Sequence, residues 1–179
     1  MRIYGNRLLK TLPGQQTRPT AARVREALFN IWQTQIQRAR WLDLCAGNGT
    51  MGAEALCRNI RFLVGIESNR RACQMIQENW EKVAKSDQKW QVMKGNLPEK
   101  LKDLQGQQFD LIYFDPPYGS DLYDLVLNGI LNLNLLAKDG EIAIEHDPKQ
   151  WNYQEIAGLT VIREKKYGST TLTFLEKLD

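Results

Sequence analysis

Histidine is almost missing from this chain of 179 residues; His146 is the only one. Cysteine is scarce as well. The three present, Cys45, Cys57 and Cys73, form no C-x-x-C pair. So few soft donors give no zinc pattern, and no metal is expected. An odd, scattered set of thiols fits a reduced, cytoplasmic protein better than a disulfide-stapled one. No apolar run approaches the roughly 20 residues needed to span a bilayer, so no membrane association is expected. The opening "MRIYGNRLLK" has no apolar stretch of the secretory type. Internal repeats, low-complexity tracts and clear linkers are also lacking. What is present is a globular composition, 42% hydrophobic and 25% charged. At this length one domain, 1–179, with a substantial core is expected.

Net charge is a modest +3, but it is unevenly spread. Residues 1–40 hold eight Lys and Arg against one acid, Glu26. The remaining residues hold 16 basic against 20 acidic side chains, so the body is mildly negative. A basic extension over 1–40, an arm plus a helix packed on a core of 41–179, suits a polyanionic partner.

The arm is broken at Pro13-Gly14 and Pro19. Thr20 is placed to cap a helix running to about Trp32, with Val24, Ala27, Leu28 and Ile31 on one stripe. Arg23 and Arg25 fall ~200° apart around that helix. From Trp41 onward short β-type runs alternate with helical stretches. The expected strands are Trp41–Cys45, Phe62–Glu67, Trp90–Lys94, Phe109–Phe114 and Glu141–Glu145. The expected helices are Thr50–Arg58, Arg70–Ala84, a short one near Leu97–Leu104, and one near Tyr123–Leu136. Such alternation predicts an α/β fold, a mostly parallel sheet covered on both faces. Two β-runs around Lys165–Ser169 predict a C-terminal antiparallel hairpin at the sheet edge.

The segment "DLCAGNGTMGAEAL" places Gly47, Gly49 and Gly52 directly after a strand and at the opening of a helix. Glycines there allow a tight turn and close backbone approach to a ligand. The helix start offers free N–H groups. Glu67 follows Gly47 by twenty residues, at the end of the next strand, where a carboxylate can hold both ribose hydroxyls. This spacing also fits a dinucleotide site, so a nicotinamide-dependent oxidoreductase stays open. Asp43, four residues before Gly47, favours a cationic ligand over a pyrophosphate, and S-adenosylmethionine carries both a sulfonium and an ammonium group. In "KGNLPEK", Asn96 and the Leu97 N–H are placed to meet an adenine edge.

The segment "FDPPYGS" ends the fourth strand, where open α/β sheets bind ligands. Two prolines fix φ and hold their carbonyls in set directions. An exocyclic amine needs acceptors, and Asp115 and the Pro116 carbonyl can take its two N–H groups. That arrangement aims the nitrogen lone pair at a methyl donor, and orientation of this kind is worth up to ~7–11 kcal/mol. Tyr118 can stack on a base.

At this point the chain resembles the RsmD family, the bacterial small-subunit rRNA guanine-N2 methyltransferases. The resemblance runs through "RIYGNRLLKTLP", "RPTAARVREALFNIW", "LDLCAGNGTMGAEAL", "GIESNRRACQMIQEN", "YFDPPY" and "KKYGSTTLTFLE". It implies a Rossmann-like class I methyltransferase with a seven-stranded sheet whose last strand is antiparallel. It implies S-adenosyl-L-methionine as cofactor and 16S rRNA, within a small-subunit assembly, as partner. Asp43, Ala46, Gly47 and Gly49 would line the methionine part of the cofactor. Glu67, with Ser68, would hold the ribose, and Asn96 and Leu97 the adenine. Asp115, Pro116, Pro117 and Tyr118 would hold the guanine. Arg18, Thr20, Arg23 and Arg25 would serve a lid or the RNA entry. Asn96 stands where the family commonly has Asp, and Asn48 where it has Ser or Thr; both bear on affinity rather than activity. A monomer is expected. DNA adenine and protein glutamine remain alternative amines, since related tetrapeptides serve them.

Other residues have simpler readings. Amine methylation needs no base before attack, so His146 is not required. Cys45, Trp80 and Trp90 are expected to pack, Tyr167-Gly168 to make a turn, and Glu54 to serve the dipole of its helix.

Overall fold

The structure, a computed structural model, describes residues 1–11 and 19–178. Its first elements are two short paired strands, β1 (Arg2–Ile3) and β2 (Arg7–Leu8), followed by helix α1 (Pro19–Ile31). The alternating body then runs β3 (Arg40–Leu44), α2 (Thr50–Cys57), β4 (Phe62–Glu67), α3 (Arg70–Val83), β5 (Lys89–Lys94), β6 (Phe109–Phe114), α4 (Leu122–Asn132) and β7 (Leu136–His146). The hairpin β8 (Leu159–Tyr167) and β9 (Thr170–Lys177) completes it. No helix among the described residues is long and apolar enough to cross a membrane.

The seven-stranded sheet has the order β5-β4-β3-β6-β7-β9-β8. The pairings from β5 to β7 are parallel, and β9 pairs antiparallel with both β7 and β8. β3 lies between β4 and β6, so the winding reverses there. Ligand crevices in open α/β sheets form at such a reversal, beyond the carboxyl ends of the strands.

The central strands are apolar on both faces because both are covered. On one side Leu28, Phe29 and Trp32 of α1 share a cluster with Leu56 of α2, Trp80 of α3 and Trp41 of the sheet. Phe29 stacks on Trp41 at 5.4 Å, and Trp32 meets it edge-on at 5.2 Å. The first helix of the basic extension is thus built into the core. On the other face α4 packs through Tyr123, Val126, Leu127 and Ile130. α3 is amphipathic by design of its sequence: Ala72, Cys73, Ile76, Trp80 and Val83 are buried at helical spacing. Asn69 caps it, its side chain accepting from the Arg71 and Ala72 N–H groups at 2.9 and 3.1 Å.

Beyond one-residue shifts, four elements differ from expectation. Helix α1 opens with Pro19 rather than after Thr20, in keeping with proline's fitness for a first helical position. The expected helix to Leu136 ends at Asn132, and Asn134 turns the chain with φ +52°. The apolar run there then feeds β7, which begins at Leu136, before the expected Glu141. The short helix near Leu97–Leu104 is a 3-10 segment over Glu99–Leu104.

Candidate active site

The loops that follow β3, β4, β5 and β6 meet around a cavity of about 870 Å³. It lies beyond the carboxyl ends of the strands, beside the reversal between β3 and β6. Glu67, Ser68, Asn96 and Leu97 line one part of it, and Asp115, Pro116, Pro117 and Tyr118 another. Cys45 and Glu145 complete the polar wall. Three carboxyl groups therefore face one space with no lysine or arginine among the described lining residues.

The loop after β3 is shaped by what packs behind it. Gly47 takes φ +58° and Gly49 φ +72°, conformations that suit glycine. Gly52 has a different reason: a Cβ there would stand 2.4 Å from Cζ2 of Trp80. The fully buried Trp80 indole lies under the loop and donates to the Gly49 carbonyl at 2.8 Å. Asn79 donates to the Asn48 carbonyl at 3.1 Å. So part of the glycine pattern serves an indole rather than a ligand.

Asp43 is buried behind this loop, 1% exposed, and its Oδ2 accepts from the Gly52 N–H at 3.0 Å. Burial pushes its carboxyl up to about 7, with the Glu67 carboxylate adding to the rise. Asp43, Ala46, Gly47 and Gly49 form the turn behind the cavity and are not among the residues that line it. Glu67 bridges two loops: its Oε2 accepts from the Gly47 N–H and its Oε1 from the Asn69 N–H, both at 2.8 Å.

Across the cavity, Asp115 follows β6 directly. Its carboxyl is pushed well above the ordinary carboxylate range by burial, then by the Glu145 and Asp43 carboxylates. Pro116 is buried and Pro117 exposed. Tyr118 is 41% exposed, and its hydroxyl stands 3.3 Å from Oγ1 of Thr170 in the hairpin. A cavity that crowds carboxyl groups in this way is electrostatically suited to a cation, which would favour their ionised forms.

The sequence expectation lacks Glu145. It ends the apolar run of β7, two residues beyond Ala143, which pairs with Tyr113 of β6. The Tyr113 hydroxyl donates to Glu145 Oε2 at 2.5 Å. The signal available was a carboxylate at the carboxyl end of a buried strand. Cys45 also departs from a pure packing role, since it stands in the cavity wall; burial pushes its thiol up to about 12.

The basic extension divides. Arg18 lies outside the described residues, and of Thr20 only the helical backbone is described. Arg23 is exposed. Arg25 is tied down: its Nε lies 2.7 Å from Glu54 Oε2, and its guanidinium donates to the Arg2 carbonyl at 3.1 Å. Arg58 holds the other Glu54 oxygen at 2.9 Å. Glu54 is thus buried between two guanidinium groups that join α2 to α1, a larger role than the expected dipole partner. His146 is buried under Trp151, with Nε2 2.9 Å from Thr173 Oγ1. Among the described residues no cluster of three or more His, Cys, Asp or Glu could hold a metal ion.

A family model described as "Conserved hypothetical protein 95" matches residues 1–176. The chain is 30% identical over 173 residues to YlbH of Bacillus subtilis, provisionally described as an rRNA methyltransferase, covering 96% of this chain and 94% of that protein. It is 27% identical over 174 residues to Ribosomal RNA small subunit methyltransferase D of Haemophilus influenzae, covering 93% and 86%. Among solved structures, that of yhhF from Escherichia coli, provisionally described as a methyltransferase, superposes with a TM-score of 0.85. Identity there is 29%, over 99% of this chain and 97% of that one.

Proposed function

Since the chain belongs to this family, the RsmD methyltransferases, and has their Rossmann-like fold, we propose that it methylates the exocyclic N2 amine of a guanine in 16S rRNA. The observation that carries this reading is the cavity walled by the Glu67, Asp115 and Glu145 carboxyl groups together with Pro116, Pro117 and Tyr118. S-adenosylmethionine, when bound, would supply a methyl group on a cationic sulfur that leaves as a neutral thioether, and the methylated nitrogen then loses its extra proton to water. Glu67 is placed for the ribose, and Asn96 and Leu97 for the adenine. The carboxyl groups at the reversal point favour a cation there, whereas a pyrophosphate would be repelled. That weighs against a nicotinamide cofactor, despite the matching glycine spacing.

Asp115 and the Pro116 carbonyl accept the two amine N–H groups and orient the lone pair. Asp115 also stabilises the positive charge that grows on the nitrogen. Tyr118 gives the base a face to stack on. A guanine stacked and paired in A-form RNA cannot present its amine here, so the target lies in a loop or is flipped out. The exposed Arg23 suits an RNA phosphate. Arg25, held by Glu54, acts by fixing α1. Acting as a monomer, the protein takes its specificity from the surfaces of a small-subunit assembly.

The test is to incubate the protein with labelled S-adenosylmethionine and unmodified small subunits, then map the label. N2-methylguanosine in 16S rRNA is expected. Label in DNA adenine or protein glutamine, or tight NADH binding with no S-adenosylmethionine binding, would overturn the reading.

A further inference from the structure

Guanine presents three hydrogen-bond donors on one edge, two on N2 and one on N1. Asp115 and the Pro116 carbonyl account for two acceptors. A third stands in the same cavity wall. Glu145 lines the cavity with Asp115 and stands one residue before the end of the neighbouring parallel strand. Its Oε2 is occupied by the Tyr113 hydroxyl at 2.5 Å. Tyr113 is itself buried, and burial with the nearby carboxylates raises its hydroxyl well above the ordinary range, so it remains a donor. That bond fixes which Glu145 oxygen is left for the cavity.

We propose that Glu145, held by Tyr113, accepts the N1–H of the target guanine through Oε1 and so selects guanine over bases that carry a lone pair at that position. The inference rests on the reading that the substrate is a guanine amine. A flipped base is read on its Watson–Crick edge, and a buried acceptor left facing a lone pair is penalised. Burial of Glu145 raises its carboxyl, and a cationic cofactor in the same cavity favours the ionised, acceptor-only form. The third carboxyl of the cavity wall, Glu67, is already engaged by the Gly47 and Asn69 N–H groups. An adenine would bring its N1 lone pair against Oε1, so the pair of acids reads as a guanine-shaped set of acceptors. In Glu145→Gln, Tyr113 would hold the amide oxygen and leave the NH₂ group facing the base. The acceptor becomes a donor with little change of shape.

The experiment compares small subunits reconstituted with guanine or with 2-aminopurine at the mapped target. 2-Aminopurine keeps the reacting amine but has a lone pair at N1. The wild-type protein is expected to prefer guanine by at least about tenfold in kcat/KM. Glu145→Gln should shrink or reverse that preference, and Tyr113→Phe should weaken it less. Cofactor affinity, measured in parallel, should change little. Equal use of both bases by the wild type, or an unchanged preference in Glu145→Gln, overturns the proposal. If Glu145→Gln fails to fold, an unchanged preference in Tyr113→Phe overturns it instead. Wild-type transfer to neither base, with label appearing elsewhere, defeats the guanine reading itself.

Discussion

Two neighbouring loops, those after the paired strands β3 and β6, are held by different means. The one after β3 is gripped from behind: Trp80 and Asn79 donate to its carbonyls, Glu67 accepts from Gly47, and Asp43 accepts from Gly52. The one after β6 has few such bonds. The Asp115 N–H reaches the Leu44 carbonyl at 3.4 Å, and the Ser120 N–H the Pro117 carbonyl at 3.2 Å. Its stiffness comes from consecutive prolines. A binding loop can borrow rigidity from the core, and then tolerates no added volume. A catalytic loop can carry rigidity in its own covalent structure and leave its side chains free to meet a substrate.

Substitutions should separate the two. Asp115→Ala removes the acceptor proposed for the reacting amine and should lower kcat at least about a thousandfold. The protein should remain folded, with cofactor affinity within about tenfold, as calorimetry would show. Trp80→Ala should do the reverse. It empties the space under the glycine loop and should cost about 3–5 kcal/mol of stability in urea unfolding. Cofactor affinity should fall more than turnover at saturating cofactor.

Asp43 offers a pH test of the gripped loop. Its native carboxyl, at about 7, lies above the ordinary 3.8, so the folded state binds the proton more tightly. Its contribution to stability is therefore complete below about pH 4 and is lost as pH rises to 7. Asp115 and Glu145 are shifted in the same direction and add to that slope. Asp43→Asn keeps an acceptor for the Gly52 N–H and drops the charge. It should flatten part of the slope and stabilise the protein at pH 8 by about 1–4 kcal/mol, while weakening a cationic cofactor. Urea unfolding at pH 5 and pH 8 measures the difference. The smallest effects belong to Tyr118. Tyr118→Ala should lose the proposed stacking face, worth about 1–3 kcal/mol, read as a raised KM for the RNA substrate. Tyr118→Phe loses only the long contact to Thr170 and should change kcat/KM by less than about threefold.

The sequence was most legible where one local signal decided the outcome. Phe62–Glu67 and Phe109–Phe114 match their predicted bounds because each is an apolar run closed by turn residues. Legibility failed where partners are far apart in the chain. Glu145 gains its place from Tyr113, thirty-two residues away, and Glu54 from Arg25 in another helix. Gly52 looked like a ligand contact because no pattern announces that an indole from α3 will fill its space. The end of α4 was misjudged since Leu131–Leu136 continues an apolar pattern that fits helix or strand equally.

The place of β9 constrains the order in which the molecule can assemble. β8 precedes it in the chain, yet β9 lies between β8 and β7. β8 thus reaches the sheet only by way of a strand synthesised after it. Thr170, at the hairpin's tip, stands beside Tyr118 only when β9 is in place. The wall beside Tyr118 therefore depends on a strand that β8 also needs.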